Sequence, residues 1–182
     1  MIEYISAAII AVIALWLVLT YNTIIKQENR ISNAWAQIDV QLKKRADLIP
    51  NLVKTVQGYA KHEKSTFEMV TKARTSIMNA KGVEDSAKAQ NMLTGALKSL
   101  FAVAENYPQL QASKNFLMLQ EELSGVEGKI AYARQFYNDE IMRFNNRVET
   151  FPSKVVAGAM GKKEMPQFEI EEKSREVPDV KF

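Results

Sequence analysis

Residues 20–50 read TYNTIIKQENRISNAWAQIDVQLKKRADLIP, and neither glycine nor proline interrupts residues 1–49. Leu17, Tyr21, Ile24, Glu28, Ile31, Trp35, Ile38, Leu42, Arg45 and Ile49 follow one another in alternating steps of four and three. That stepping puts them on one stripe of a helix, as a bundle helix requires. No strand-like alternation of any length occurs before the C-terminal tail, so the chain reads as all-α.

Upstream of this stripe lies a membrane anchor. Between Glu3 and Lys26 there are 22 residues without a charge, and Tyr4 and Tyr21 bracket the most apolar part. At ~1.5 Å per residue such a helix reaches ~33 Å, close to the thickness of a bilayer's hydrocarbon core. Aromatic rings favour the two interfaces. A buried core helix would need a larger surrounding core than this chain supplies. A cleaved signal peptide would need a basic start and a small-residue cleavage site, neither of which is present. Residues 4–25 are therefore expected to span the membrane once. Lys26 and Arg30 follow the span and no basic residue precedes it, so the N-terminus is expected outside and the rest in the cytoplasm.

Downstream, the pattern predicts an antiparallel up-and-down four-helix bundle over residues 26–151, with helices at about 22–47, 50–80, 85–106 and 112–150. Pro50 pushes Ile49 towards extended geometry and suits the first turn of a helix, so residues 47–50 are read as a corner rather than a kink. The second stripe is Val53, Val56, Ala60, Glu63, Phe67, Val70, Arg74 and Ile77, and Lys81-Gly82 closes it. Ala89, Leu93, Ala96, Leu100, Val103 and Tyr107 mark the third, which Pro108 ends. Phe116, Leu119, Leu123, Val126, Ile130, Ala133, Tyr137, Ile141, Phe144, Val148 and Phe151 mark the fourth, stopped by Pro152. Such a topology puts the corners at 47–50 and 106–113 far from the membrane, and brings the corner at 81–85 and the end of the fourth helix back near it. The tail, residues 152–182, holds three of the five prolines and a charge-dense run, and its last dozen residues are expected to be disordered. Its apolar residues Val155, Val156, Met160, Met165 and Phe168 are expected to dock on the parent bundle, with a neighbouring molecule or the lipid interface as the alternatives.

Composition narrows the chemistry. The 182 residues include no Cys, one His and seven Gly, so cysteine nucleophiles, multi-His zinc sites and glycine-rich phosphate loops have little to be built from. Residues 26–80 carry ten Lys/Arg against five Asp/Glu, while residues 81–151 carry eight against nine. That is no nucleic-acid footprint, which masses basic residues on one face. No enzyme, cofactor or metal is expected.

The run from Ala34-Trp35-Ala36-Gln37-Ile38-Asp39 through Lys43-Lys44-Arg45-Ala46-Asp47-Leu48-Ile49-Pro50-Asn51-Leu52-Val53 closely resembles the LemA family. The match continues at Val56-Gln57-Gly58-Tyr59-Ala60-Lys61-His62-Glu63, Ala73-Arg74, Glu105-Asn106-Tyr107-Pro108-Gln109-Leu110, Glu127, Ala133-Arg134, Tyr137-Asn138, Phe144-Asn145 and Phe151-Pro152. The resemblance implies a single-pass, membrane-anchored four-helix bundle, no established enzymatic activity, and relatives associated with membrane organisation, including magnetosome formation. No catalytic residues carry over.

Four charged residues interrupt the apolar stripes: Glu28, Arg45, Glu63 and Arg74. On the fourth helix Glu127, Arg134, Asn138 and Asn145 form a second stripe beside the seam. The candidate site is a polar network of Glu63, Arg74, Glu127, Arg134 and Asn138, with Arg74 or Arg134 paired to Glu63 or Glu127, fixing helix register and partner choice. The competing reading puts these residues on bundle edges, snorkelling into water. His62-Glu63 lacks the second His of a zincin motif and reads as solvent-facing. Glu121-Glu122 and Asp139-Glu140 are adjacent in sequence, point in different directions and read as a solvated face. Trp35 reads as a core residue. The function expected is a non-catalytic membrane scaffold or adaptor acting by self-association and by binding other membrane or cytoplasmic proteins. The alternative is a membrane-tethered sensor or regulator with a small ligand or peptide between its helices.

Overall fold

The leading stripe builds a longer helix than its proline suggests. In the computed structural model, which describes residues 1–168, helix α1 runs unbroken over Ile2–Gln57 with Pro50 inside it. Then come α2 (Lys64–Asn79), α3 (Gly82–Glu105), the single turn α4 (Pro108–Gln111), α5 (Lys114–Glu149) and α6 (Ser153–Ala159). The described elements are all helical, as the periodicity requires.

The corner predicted at residues 47–50 does not form. Proline cannot donate to the carbonyl four residues back, and this ordinarily costs a helix ~3 kcal/mol. Here the orphaned acceptor is the Ala46 carbonyl, and Arg74 Nε donates to it from α2 at 3.0 Å. Ala46, Ile49, Leu52, Val53 and Val56 are all buried, so the core face continues across the proline. Burying side chains of this size contributes ~1.5–3 kcal/mol each, enough together to outweigh the lost bond. The chain breaks instead after Gln57, where Gly58 lowers helix propensity by ~1 kcal/mol. There the Tyr59 and Ala60 amides both donate to the Val56 carbonyl, at 3.0 and 2.9 Å, and buried Ala60 pins the turn.

The described chain divides into two compact units. One comprises residues 37–132 with Phe168: the later part of α1, then α2, α3, α4 and the first half of α5. Its core is built from Ile38, Leu42, Ile49, Val56, Val70, Leu93, Leu100, Leu110 and Ile130. Phe101 meets Phe116 edge-on at 6.1 Å, joining α3 to α5. Gly82 opens α3 with φ of +80°, a conformation that favours glycine, and Glu84 and Asp85 follow in the first turn, where the helix dipole favours acids. Since Arg74 stands beside Ala46 and α2 ends five residues later, the corner at 79–82 belongs to this unit.

The other unit comprises residues 1–36 and 133–167: the start of α1, the second half of α5, α6 and the strand-free segment after it. Residues 1–15 of α1 are exposed throughout, and burial begins at Thr20 and Ile24. Those 15 residues fall within the part long and apolar enough to cross a membrane. Ile31, Ala133, Tyr137, Ile141, Phe144 and Val148 fill the core, and Val156 and Ala157 bring α6 into it. Ser153 Oγ donates to the Arg147 carbonyl at 2.7 Å and the Thr150 carbonyl at 2.9 Å, holding the turn between α5 and α6. Gly161, at φ +68°, then reverses the chain: its amide donates to Gly158 and the Lys162 amide to Ala157, closing α6 with a left-handed cap.

Contacts inside the two units give the helix sense. Trp35 on α1 meets Tyr137 on α5 in one, and Arg45 on α1 meets Glu127 on α5 in the other. Numbers rise along α1 as they fall along α5, so the two helices run antiparallel. The expected disorder of the last dozen residues concerns positions outside the described chain.

Candidate functional site

In residues 37–132 the polar layer centres on Arg45. The α1 stripe places it between Leu42 and Ile49 and leaves it 4% exposed. Its Nη2 lies 2.7 Å from Glu127 Oε2 on α5, and its Nη1 donates to Thr94 Oγ1 on α3 at 3.3 Å. Burial pulls the guanidinium below its ordinary value, and the Glu127 carboxylate opposes that pull. Gln41 sits one turn before Arg45, and Gln90 one turn before Thr94. The Oε1 atoms of both glutamines and Arg45 Nε are buried without a hydrogen-bond partner among the described residues. This layer can fix the register of three helices, because a buried guanidinium tolerates few positions for its acceptors.

The members of the sequence-predicted network fall in both units. Glu63, Arg74 and Glu127 belong to this unit, whereas Arg134 and Asn138 belong to the other. Glu127 pairs with Arg45, a pairing that the sequence reading did not assign. Arg74 spends its Nε on the Ala46 carbonyl that Pro50 vacates. Glu63 occupies the N-cap position of α2, half-buried, and its side chain makes no capping bond. It lies 11 residues before Arg74, three turns away along α2, out of reach of a direct pair. Arg134 and Asn138 are half-buried and each has a partner. Sequence reasoning noticed Arg45 as a charge in the seam but assigned it no acceptor. The antiparallel run of α1 against α5 is the signal that pairs it with Glu127.

The other unit holds polar groups that the sequence reading placed differently. Glu140 was expected on a solvated face, yet its side chain is 3% exposed. Tyr137, Glu140, Ile141 and Phe144 share a core face wider than a single seam, and that width carries Glu140 inside. Its Oε1 takes Arg143 Nη1 at 3.1 Å, while its Oε2 is buried with no hydrogen-bond partner among the described residues. Trp35 is half-buried and meets buried Tyr137 edge-on at 5.9 Å. Burial raises the Tyr137 hydroxyl above its usual value.

The segment after α6 docks on this unit. The Asn145 side-chain amide donates to the Met165 carbonyl and accepts from the Met165 amide, each at 2.9 Å. Lys162 reaches Glu28 on α1 at 2.7 Å. The Glu164 carboxyl hydrogen-bonds Glu149 and is held above the ordinary carboxylate range by it. Asn145 was flagged in the second stripe of the fourth helix, but its backbone-like clamp on Met165 could be seen only once the tail was placed.

His62 is exposed, as are Glu121 and Glu122. Among the described residues, no three His, Asp or Glu side chains gather where they could hold a metal ion.

Comparison with known proteins places this arrangement. The chain is 30% identical over 140 residues to Protein LemA of Metamycoplasma hominis, covering 75% of this chain and 63% of that protein. It is 26% identical over 179 residues to Magnetosome protein MamQ 2 of Paramagnetospirillum magneticum, covering 84% and 66%. A similar match, at 24%, is found with Magnetosome protein MamQ of Magnetospirillum gryphiswaldense. The chain thus spans just under two thirds of the length of these relatives. The LemA family model matches residues 34–182. This match takes in α2 to α6, most of α1 outside its bare apolar end, and both polar layers, so the chain is a helical, membrane-anchored protein that belongs to the LemA family.

Proposed function

We propose that the protein is a non-catalytic scaffold or adaptor, held on the inner face of the cell membrane by α1 and acting through self-association and the binding of other proteins. One observation carries this reading. The uncovered apolar start of α1 and Ile24 and Ile31, which pack the core of the same unit, lie on one continuous helix, so the anchor is built into that unit. Leu117, Met118 and Tyr132 stand exposed on α5 in the unit of residues 37–132, and apolar side chains of this kind are what a protein partner covers. Relatives that bear the name magnetosome protein support work at a membrane. The basic residues Lys26 and Arg30 just after the span support the cytoplasmic placement.

Photo-crosslinkers at Met118 and Tyr132, activated in intact membranes and followed by mass spectrometry, test this. Self-crosslinks or one recurrent foreign partner are expected. A strictly monomeric mass in mild detergent, with no crosslinked species from either position, would sink the proposal.

The ligand-sensor alternative draws on the Arg45 layer, whose buried Gln41, Gln90 and Arg45 atoms lack partners. A Gln41→Leu/Gln90→Leu protein that melts higher and keeps every crosslink removes that alternative.

A further inference from the structure

The bare part of α1 is too short to cross a bilayer by itself. From Tyr4, the first residue after the only early charge, to Leu15 every residue is exposed, and this is twelve residues. At ~1.5 Å each they reach ~18 Å, against the ~30 Å of a hydrocarbon core. Spanning takes about 20 residues, so the span must continue to about Thr23. Over that stretch one face of α1 is already covered, since Trp16 is half-buried and Thr20 is buried while Leu17, Val18, Leu19 and Tyr21 stay exposed to lipid. The covering element is the α5–α6 corner, which shares with Trp16 and Thr20 the lining of one open groove of about 530 Å³. The corner therefore lies at the depth of the leaflet. Its outward residues suit that depth, since Phe151 is 84% exposed and Val155 is 65% exposed.

Farther from the bilayer the same groove turns basic. Arg147 and Arg143 line it, one and two turns back along α5 from Phe151, and on α1 the lining reaches Gln27, just past the first charge at Lys26. Arg143 is tied to Glu140, but no carboxylate among the described residues pairs with Arg147. A half-buried guanidinium without a carboxylate, lining the same groove four residues before an exposed phenyl ring, suits a phosphate at the edge of the acyl chains.

We propose that the α5–α6 corner is a second membrane contact, in which Phe151 and Val155 enter the acyl-chain region and Arg147, assisted by Arg143, binds the phosphate of an anionic glycerophospholipid. It rests on α1 being the anchor and is independent of the scaffold reading. The apolar ring wedges between chains beside α1, and the guanidinium makes charge-assisted hydrogen bonds to the phosphate oxygens. An anionic lipid is favoured over a zwitterionic one because no cation of its own headgroup competes with Arg147.

The absence of cysteine makes a unique label simple to place. Full-length Val155→Cys and Lys163→Cys proteins, each carrying an environment-sensitive fluorophore, are reconstituted into phosphatidylcholine vesicles containing one-fifth phosphatidylglycerol. Alkaline carbonate extraction checks separately that α1 holds the protein in the bilayer. At position 155 acyl-chain nitroxide lipids should quench at least threefold more than aqueous iodide, with the reverse at position 163. Equal access of iodide to both positions overturns the second contact even where the anchor holds. Nitroxide-labelled phosphatidylglycerol should quench position 155 at least twofold more than labelled phosphatidylcholine at equal mole fraction. Arg147→Gln should reduce that ratio to one while leaving the label in the acyl region. A variant that stays inserted and keeps the excess overturns the phosphate assignment. So does loss of the excess on adding inorganic phosphate, but not chloride of equal ionic strength, which would mark a site for free phosphate.

Discussion

Among the described residues the two units each hold one buried ion, and they hold opposite ones. In residues 37–132 the arginine is inside and its acid is half-exposed, at 5% for Arg45 and 51% for Glu127. In the unit of residues 1–36 and 133–167 the acid is inside and its arginine is outside, at 3% for Glu140 and 59% for Arg143. The difference matters because the two charges have different escapes. A buried carboxylate deprived of its partner can bind a proton and become neutral, whereas a guanidinium keeps its charge at any ordinary pH. The Arg45 layer is thus the stricter of the two. It holds three helices in one register, and the Glu140 layer holds one short span of α5.

The largest expected effect follows directly. Glu127→Ala leaves Arg45 charged and buried, and should cost ~3 kcal/mol, at the low end for a broken buried pair because water can reach the vacated side. Thermal melts of the detergent-solubilised full chain, read by far-UV circular dichroism, measure it. Joint replacement of Arg45 by Met and Glu127 by Leu should be near neutral or stabilising, because both the desolvation cost and the pair disappear. If the single and double variants melt alike, Arg45 is not paying a desolvation cost.

Next comes Arg74. Arg74→Ala orphans the buried Ala46 carbonyl and should cost ~2 kcal/mol. In a Pro50→Ala background the helix supplies its own donor to that carbonyl, so the same substitution should cost less than half as much. A double-mutant cycle showing strict additivity would dissociate the arginine from the proline.

Arg143→Gln tests the other side of the comparison. Its cost should be ~1 kcal/mol, well below that of Glu127→Ala, because Arg143 itself stands largely in water and its pairing is screened there. Equal costs for the two variants would erase the distinction between the layers.

The smallest effect concerns the docked segment. The Glu164 carboxyl titrates above its ordinary value because it hydrogen-bonds Glu149. A raised value in the folded protein means that the contribution is fully present below the ordinary carboxylate value and fades as pH rises through the raised one. Hydrogen exchange at the Met165 amide, corrected for intrinsic rate, should therefore show more protection in mild acid than at neutrality. Glu164→Gln should flatten that slope.

The sequence carried the helical class and the core faces well, because both depend on spacing alone. Ile24, Ile31, Ile38, Leu42, Arg45 and Ile49 were all placed on one stripe, and all are buried. Pro50 misled because local propensity cannot see a donor that arrives from another helix. Gly58, which fell inside the helix predicted over residues 50–80, instead follows the end of α1. Glu140 misled because a seam of single residues understates the width of a face packed from two sides. Arg45 and Glu127 were visible as polar residues beside the seams and not as a pair. Pairing depends on which helix levels meet, and shifting the turn from residue 50 to 58 moves every level on α2.

One consequence of the Arg74 bond reaches beyond this chain. A proline whose vacated acceptor is served from another helix makes two distant positions drift together. Relatives that keep proline at the position of Pro50 should keep a long-armed donor at that of Arg74, and those that lost the proline should be free to vary there. A survey of family sequences for that correlated substitution would read the bond from inheritance alone.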